Sequence, residues 1–180
     1  MLLGFRNTNN TESVASGDSH TFGPLFTEFN GRFYELSKRG YVYMASLQAV
    51  VALSTLSATG TGFCLTNPNG SGKNIALLTV SVALASAPAG IASVHLAYGL
   101  KSTTAVTQTT ALTVRSGLLE GYSGVGLAAS ATTLPAVPVA IRPIGGGPVA
   151  TGSVTSGMMT DNIDGAIIIP PGSSLSLGYV

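Results

Sequence analysis

The sequence predicts an all-β chain, an antiparallel β-sandwich of jelly-roll-like type with an extended N-terminal arm. Two observations carry this. The first is apolarity that alternates with a period of two. In residues 75–84 the large apolar groups Leu78, Val80, Val82 and Leu84 alternate with Thr79, Ser81 and Ala83. In residues 91–98, Ala92, Val94, Leu96 and Tyr98 alternate with Ser93, His95 and Ala97. A period of two puts alternate side chains on opposite faces of a strand, one buried and one small and polar. The second is spacing: strand-like runs recur roughly every 10 to 15 residues with Gly, Pro and Asn clusters between them, the rhythm of a sandwich rather than of any helical class.

Taken in order, residues 1–40 form an arm distinct from the domain over 41–180. Eight of the fifteen charged residues fall in the arm: Arg6, Glu12, Asp18, Glu28, Arg32, Glu35, Lys38 and Arg39. Residues 7–19 are polar without periodicity. The aromatic-rich run Phe22, Phe26, Phe29, Phe33, Tyr34 follows, with Asn30-Gly31 placed for a hairpin turn. Such an arm either covers its own sandwich or docks on a neighbour through its aromatics. Residues 41–45 read as a strand. Residues 46–56 fit helix and strand spacing alike, and β-branched content tips them toward strand. Residues 61–66, 75–84 and 91–98 read as three strands of one core unit. The Thr-rich run 101–115 is one half-buried strand or two joined by a bend. Residues 118–130 are loop plus a short strand. Pro135 and Pro138 make 133–140 an edge strand or a connector, because proline cannot donate to a ladder. Residues 141–148, rich in Gly and Pro, read as an exposed loop. Short strands are expected at 151–155, 166–169 and 174–180.

Composition narrows function. Charged residues make up 8% of the chain, against about 25% in an ordinary soluble domain. A net charge of +1 offers no basic field, so a nucleic-acid partner is not expected. The outer surface must be built of Ser, Thr, Gly, Asn and Ala, as in proteins packed against copies of themselves. Residues 74–100 are apolar on average, but a spanning helix needs about 20 predominantly apolar residues. Thr79, Ser81, Ser86, Pro88, Ser93 and His95 interrupt this run at strand period, so no membrane partner is expected. The first six residues turn polar too soon for a signal peptide. Cys64, the single cysteine, sits between Phe63 and Leu65 and reads as a small buried hydrophobe.

No motif nominates chemistry. Asn69-Gly70-Ser71-Gly72-Lys73-Asn74 resembles a phosphate loop, but Asn67 stands where the first Gly belongs and Asn74 where Ser or Thr would hold magnesium. No helix pattern follows it to hold a phosphate. Gly121-Tyr122-Ser123-Gly124-Val125 misses the second Gly of a nucleophile elbow. His20 and His95 are isolated. Asp161-Asn162-Ile163-Asp164-Gly165 lacks the distal Glu of a calcium loop and reads as an Asx-rich turn. No catalytic, cofactor-binding or metal residue is therefore assigned, and no enzyme is expected.

Three blocks carry a family resemblance: Gly31-Arg32-Phe33-Tyr34-Glu35-Leu36-Ser37-Lys38-Arg39-Gly40, Gly62 through Asn74, and Ile169-Pro170-Pro171-Gly172-Ser173-Ser174-Leu175-Ser176-Leu177. With them the chain resembles virion structural proteins of tailed bacteriophages, over about three quarters of its length. The resemblance implies a β-sandwich with an arm and no catalytic residues. It makes a capsid decoration (cement) protein the first expectation, located on the virion as a homotrimer that bridges the major capsid protein or other virion subunits. A tail, baseplate or head-fibre component binding a host glycan, with Tyr98, Tyr122 and Tyr179 as platforms, is the alternative. A small jelly-roll hydrolase is a third reading, disfavoured by the scarcity of carboxylates. The expected interface residues are Phe22, Phe26, Phe29, Phe33 and Tyr34 in the arm, with Thr79, Ser81, Ser93 and His95 on the small polar strand face.

Overall fold

The structure, a computed structural model, describes residues 3–6, 12–15, 33–85, 92–118, 123–147 and 158–180. In chain order the elements are β1 (Leu3–Arg6), β2 (Glu12–Ala15), α1 (Tyr34–Lys38), β3 (Tyr43–Met44), β4 (Thr59–Thr66), β5 (Ile75–Ala83), β6 (Ala92–Gly99), β7 (Thr107–Leu112), β8 (Arg115–Ser116), β9 (Leu127–Thr133), β10 (Val139–Gly147), β11 (Met158–Ile169) and β12 (Ser174–Tyr179). The fold is all-β, antiparallel and sandwich-like, as the alternation predicts. A six-stranded sheet, ordered β10-β6-β12-β4-β9-β7, faces the two-stranded sheet β11-β5. Two short pairs, β1-β2 and β3-β8, complete the ladders. Six strands facing two is an uneven division, and it does not establish the jelly-roll-like arrangement.

The core lies between the two sheets. Leu96 (β6), Leu175 (β12), Ile163 and Ile169 (β11) are buried together, and Leu65, Ile75, Leu77, Val80, Ile144, Ile167 and Leu177 pack around them. Every one sits on the inward phase of its strand. In β5 that phase slips: Ile75 and Leu77 point inward, then Val80 does. The cause is a bulge in the partner strand, where pairing jumps from Asn162↔Thr79 to Ile167↔Leu77. Asp164 (φ 53°) and Gly165 (φ 86°) adopt the left-handed conformation there, which Asp and Gly tolerate best. The cluster expected as an Asx-rich turn is instead an irregularity inside a strand: β11 runs through it as a bulge, which bends and twists a strand without ending it.

Four further expectations need correction. Residues 61–66, 75–84 and 91–98 are not one contiguous unit. The C-terminal strand β12 inserts between β4 and β6, and β5 belongs to the opposite sheet. Residues 46–56 form no strand. They hold one isolated parallel bridge, Thr55↔Tyr179, and tie strand ends through Ser54 N–H to Thr61 O, Leu56 N–H to Tyr179 O and Tyr179 N–H to Ser54 O. β4 has both edges occupied, by β12 and β9, so this segment has no ladder to join. Residues 141–147 are not a loop but most of β10. Its Pro143 and glycines are tolerated because β10 is an edge strand with two register shifts against β6. Finally, the run from Phe33 does not return as a hairpin strand. Residues 34–38 are the short helix α1, with Glu35 in its first turn and Lys38 in its last, matching the helix dipole. Asn30-Gly31 and the strand expected over 151–155 lie outside the described residues.

Residues 101–115 resolve into two strands, β7 and β8, and the short strand expected before residue 130 is β9. At the open side of the sandwich Arg142 of β10 reaches Asp161 of β11, with Nε 2.6 Å from Oδ2 and a terminal nitrogen donating to Oδ1 at 2.8 Å. The pair is one hydrogen bond and one close charge contact, since Oδ2 makes no hydrogen bond, and it links the two sheets. Gly145 makes room beside it, since a Cβ there would meet Met159 Sδ.

Candidate functional site

The most enzyme-like stretch is a structural staple. Asn67 follows the last residue of β4 and is fully buried. Its carboxamide donates to Lys73 O at 2.7 Å and Ile169 O at 2.8 Å, and its Oδ1 accepts from Ser71 Oγ at 2.7 Å. Its backbone N–H donates to Ser173 O and its carbonyl accepts from Gly172 N–H. One side chain therefore closes the 67–74 loop on itself and locks that loop to the β11–β12 turn. The Lys73 carbonyl and the Ser71 hydroxyl close on the buried asparagine, and the loop runs into the strand β5 rather than a helix whose N-terminus could hold a phosphate. Cys64 is buried, and burial pushes its thiol pKa up, weakly opposed by hydrogen bonds from Thr66 and Thr132. A thiol held protonated is a poor nucleophile.

The expected contact face divides between two surfaces. Thr79 and Ser81 are exposed on the outer face of β5. Ser93 and His95 are half-buried on β6, in the other sheet. Across from Thr79 and Ser81 stand Asn162 and Thr160 of β11, and the pairs are joined by side-chain hydrogen bonds. Thr79 Oγ1 donates to Asn162 Oδ1 at 3.3 Å, and the Ser81 and Thr160 hydroxyls are 3.1 Å apart. The same face continues to Ala83 opposite Met158 and, past the bulge, to Ala76 opposite Ile168. All eight residues are exposed and none is charged. Asp161, one position out of phase, turns away toward Arg142. Sequence reasoning found half of this surface. The other half was missed because the Asp161–Gly165 cluster reads as a turn, although Met158, Thr160 and Asn162 carry the alternation that signals it.

Beside this face, β5 pairs only with β11 among the described residues, so its second edge has no strand partner. That edge runs nine residues without a charge or a proline, lacking the devices that usually blunt an exposed strand. The edge strand β10 by contrast carries Pro143, Arg142 and two register shifts.

In the arm, Phe33 is half-buried at the start of α1 and Tyr34 is exposed; Phe22, Phe26 and Phe29 lie outside the described residues. Leu36, Tyr41, Tyr43 and Met44, close to Tyr34 in sequence, are exposed as well. Of the tyrosines expected to serve as glycan platforms, Tyr98 and Tyr179 are half-buried, with the Tyr98 hydroxyl 3.1 Å from Ser173 Oγ, and Tyr122 lies outside the described residues. Among the described residues no group of three His, Cys, Asp or Glu is placed to hold a metal ion, and no helix is long and apolar enough to cross a membrane. Compared with protein-family models, curated proteins and solved structures, the chain gives no significant match.

Proposed function

We propose that this chain is an assembly subunit: a phage capsid decoration (cement) protein that associates with copies of itself, as a homotrimer, and bridges neighbouring capsid subunits on the virion. The observation that supports it most is the uncharged outer face of β5 and β11 beside the open edge of β5. Covering an ion removes its hydration at a cost of several kcal/mol unless it is well paired. A face of hydroxyls, one amide, alanines, a methionine and an isoleucine carries no such penalty. Its hydroxyls already share hydrogen bonds, so apposing a second flat surface strands few polar groups. Cementing then needs no chemistry, only burial shared across subunit boundaries. Tyr34, Leu36, Tyr41 and Met44 supply a second apolar surface at the arm end of the domain.

The test is imaging of intact virions that carry this chain, with copy counting, alongside light scattering of the purified protein. Hundreds of copies on the head and a trimer in solution are expected. A few copies confined to the tail would replace this reading with the host-binding alternative, and a monomer that binds no shell would overturn it.

A further inference from the structure

We infer that Asn69 is a site of spontaneous covalent self-modification, in which its side-chain amide is lost through attack by the backbone nitrogen of Gly70. The reaction balances within the chain and water. The Gly70 nitrogen loses its proton and bonds to Asn69 Cγ, the Cγ–Nδ2 bond breaks, and ammonia leaves a five-membered imide. Water then opens the imide at Cγ to give aspartate, or at the backbone carbonyl to give isoaspartate.

Four observations select this asparagine. Asn69 and Gly70 are both exposed at the tip of the 67–74 loop. The Asn69 carboxamide makes no hydrogen bond among the described residues, and neither does the Gly70 N–H, so neither reacting group is held away from the other. Beyond its two chain neighbours Gly70 has no atom within 4 Å of the position a Cβ would take, so no side chain of its own and no residue from elsewhere in the fold crowds this side of it. The remaining described asparagines are protected by distinct means. Asn67 is buried, uses its amide in three hydrogen bonds and precedes Pro68, whose nitrogen has no proton to lose. Asn74 and Asn162 precede Ile75 and Ile163, whose branched side chains crowd the attacking nitrogen.

The product lies in a responsive place. Asn69 Oδ1 and the Lys101 stem both pack beside Gly172, in the turn that Asn67 anchors. A carboxylate at position 69 gains this lysine as a neighbour and takes the chain from a net charge of +1 to neutral. An isoaspartate would also lengthen the backbone of the loop by one carbon.

The experiment holds the full-length chain in mildly alkaline buffer and follows it by peptide mapping with mass spectrometry. Asn30→Gln is introduced so that the second Asn-Gly pair does not contribute to the intact charge change. Conversion at position 69 to a mixture of aspartate and isoaspartate is expected ahead of Asn67, Asn74 and Asn162, and Asn69→Gln removes the charge change. Gly70→Ala slows it several-fold. Retention of the Asn69 amide while the urea-unfolded chain converts would overturn the inference, as would earlier conversion of Asn74 or Asn162.

Discussion

The two sheets present outer faces of nearly the same chemistry and opposite fate. On the six-stranded sheet the outward phase carries Cys64, Ala97, Ala129, Ser176 and Gly178, small and uncharged, and all are buried. Leu53 and Leu56 of the 51–57 segment lie over its glycines so closely that a Cβ on Gly62 or Gly178 would stand 2.4 Å from a leucine methyl. On the β5-β11 sheet the outward phase carries Ala76, Thr79, Ser81, Ala83, Thr160 and Asn162, equally small and uncharged, with the larger Met158 and Ile168 toward its ends, and all are exposed. Small residues on a strand therefore mark close approach in one case and leave an uncovered surface in the other. Composition cannot separate the two, because nothing in the 51–57 segment, whose spacing fits helix and strand alike, says that it lies over the sheet rather than joining it. The covered face shows what such a surface becomes when a segment lies on it, and the open face is a similar surface with no described segment over it.

The largest expected effect tests the covered face. Gly62→Val places a branched side chain at φ +127° against Leu53 and the Leu177 carbonyl. Backbone strain and overpacking add, for a loss of about 3 kcal/mol in chemical denaturation. A loss below 1 kcal/mol would mean that Leu53 does not hold its place over the sheet, and the contrast between the faces would collapse.

Next comes the staple that links loop and turn. Asn67→Ala removes the side-chain donor to the buried Ile169 carbonyl and one partner from both Lys73 O and Ser71 Oγ, which keep each other at 3.2 Å. A cost of about 2–3 kcal/mol is expected in thermal or denaturant unfolding, the magnitude of unsatisfied buried groups. Asn67→Asp restores the size but not the donors, so it should fail to rescue. Rescue by aspartate would show that shape, not hydrogen bonding, organises the loop.

These two sites also show what could be read in advance. The strands β4, β5, β6 and β12 follow from alternation alone, since inward Leu96, Leu175 and Val80 each sit two residues from another apolar group. Their order does not follow, because nothing in 174–179 says that this strand inserts between β4 and β6. β10 was hidden by Pro143 and three consecutive glycines, which mark loops in a sheet interior but are permitted on an edge. Asn67 is the reverse case. It counts against a phosphate loop by type, yet its burial depends on Ile169, 102 residues away. On the open face Thr79 and Ser81 were legible from their own strand, while Thr160 and Asn162 needed the bulge to be recognised as part of a strand.

A smaller effect is expected from the tether across the open side. Arg142 is 46% exposed at its side chain and Asp161 16%, so solvent screens much of the attraction. Arg142→Ala should cost less than about 1 kcal/mol and the difference should shrink in high salt. A larger, salt-independent loss would show that the two sheets depend on this pair rather than on the apolar core.

The smallest effect on the fold should be the most informative. Ser81→Lys, alone or with Thr160→Lys, sets a long cation on the exposed centre of the β5-β11 face. The side chain can extend into water, so the monomer should keep its stability to within about 0.5 kcal/mol. An assembly that covers this face would have to bury the new charge, and each buried unpaired ion costs several kcal/mol. Light scattering and shell-binding assays should therefore show association lost while the unfolding midpoint stays in place. Thr103→Lys, alone or with Thr104→Lys, makes the same charge change in the exposed segment between β6 and β7, outside both proposed surfaces, and controls for charge alone. If Ser81→Lys associates as the unaltered chain does, the open face is solvent surface, and the comparison with its covered counterpart ends at composition. If association fails only with lysine on β5 or β11, that face is where a partner completes the sandwich.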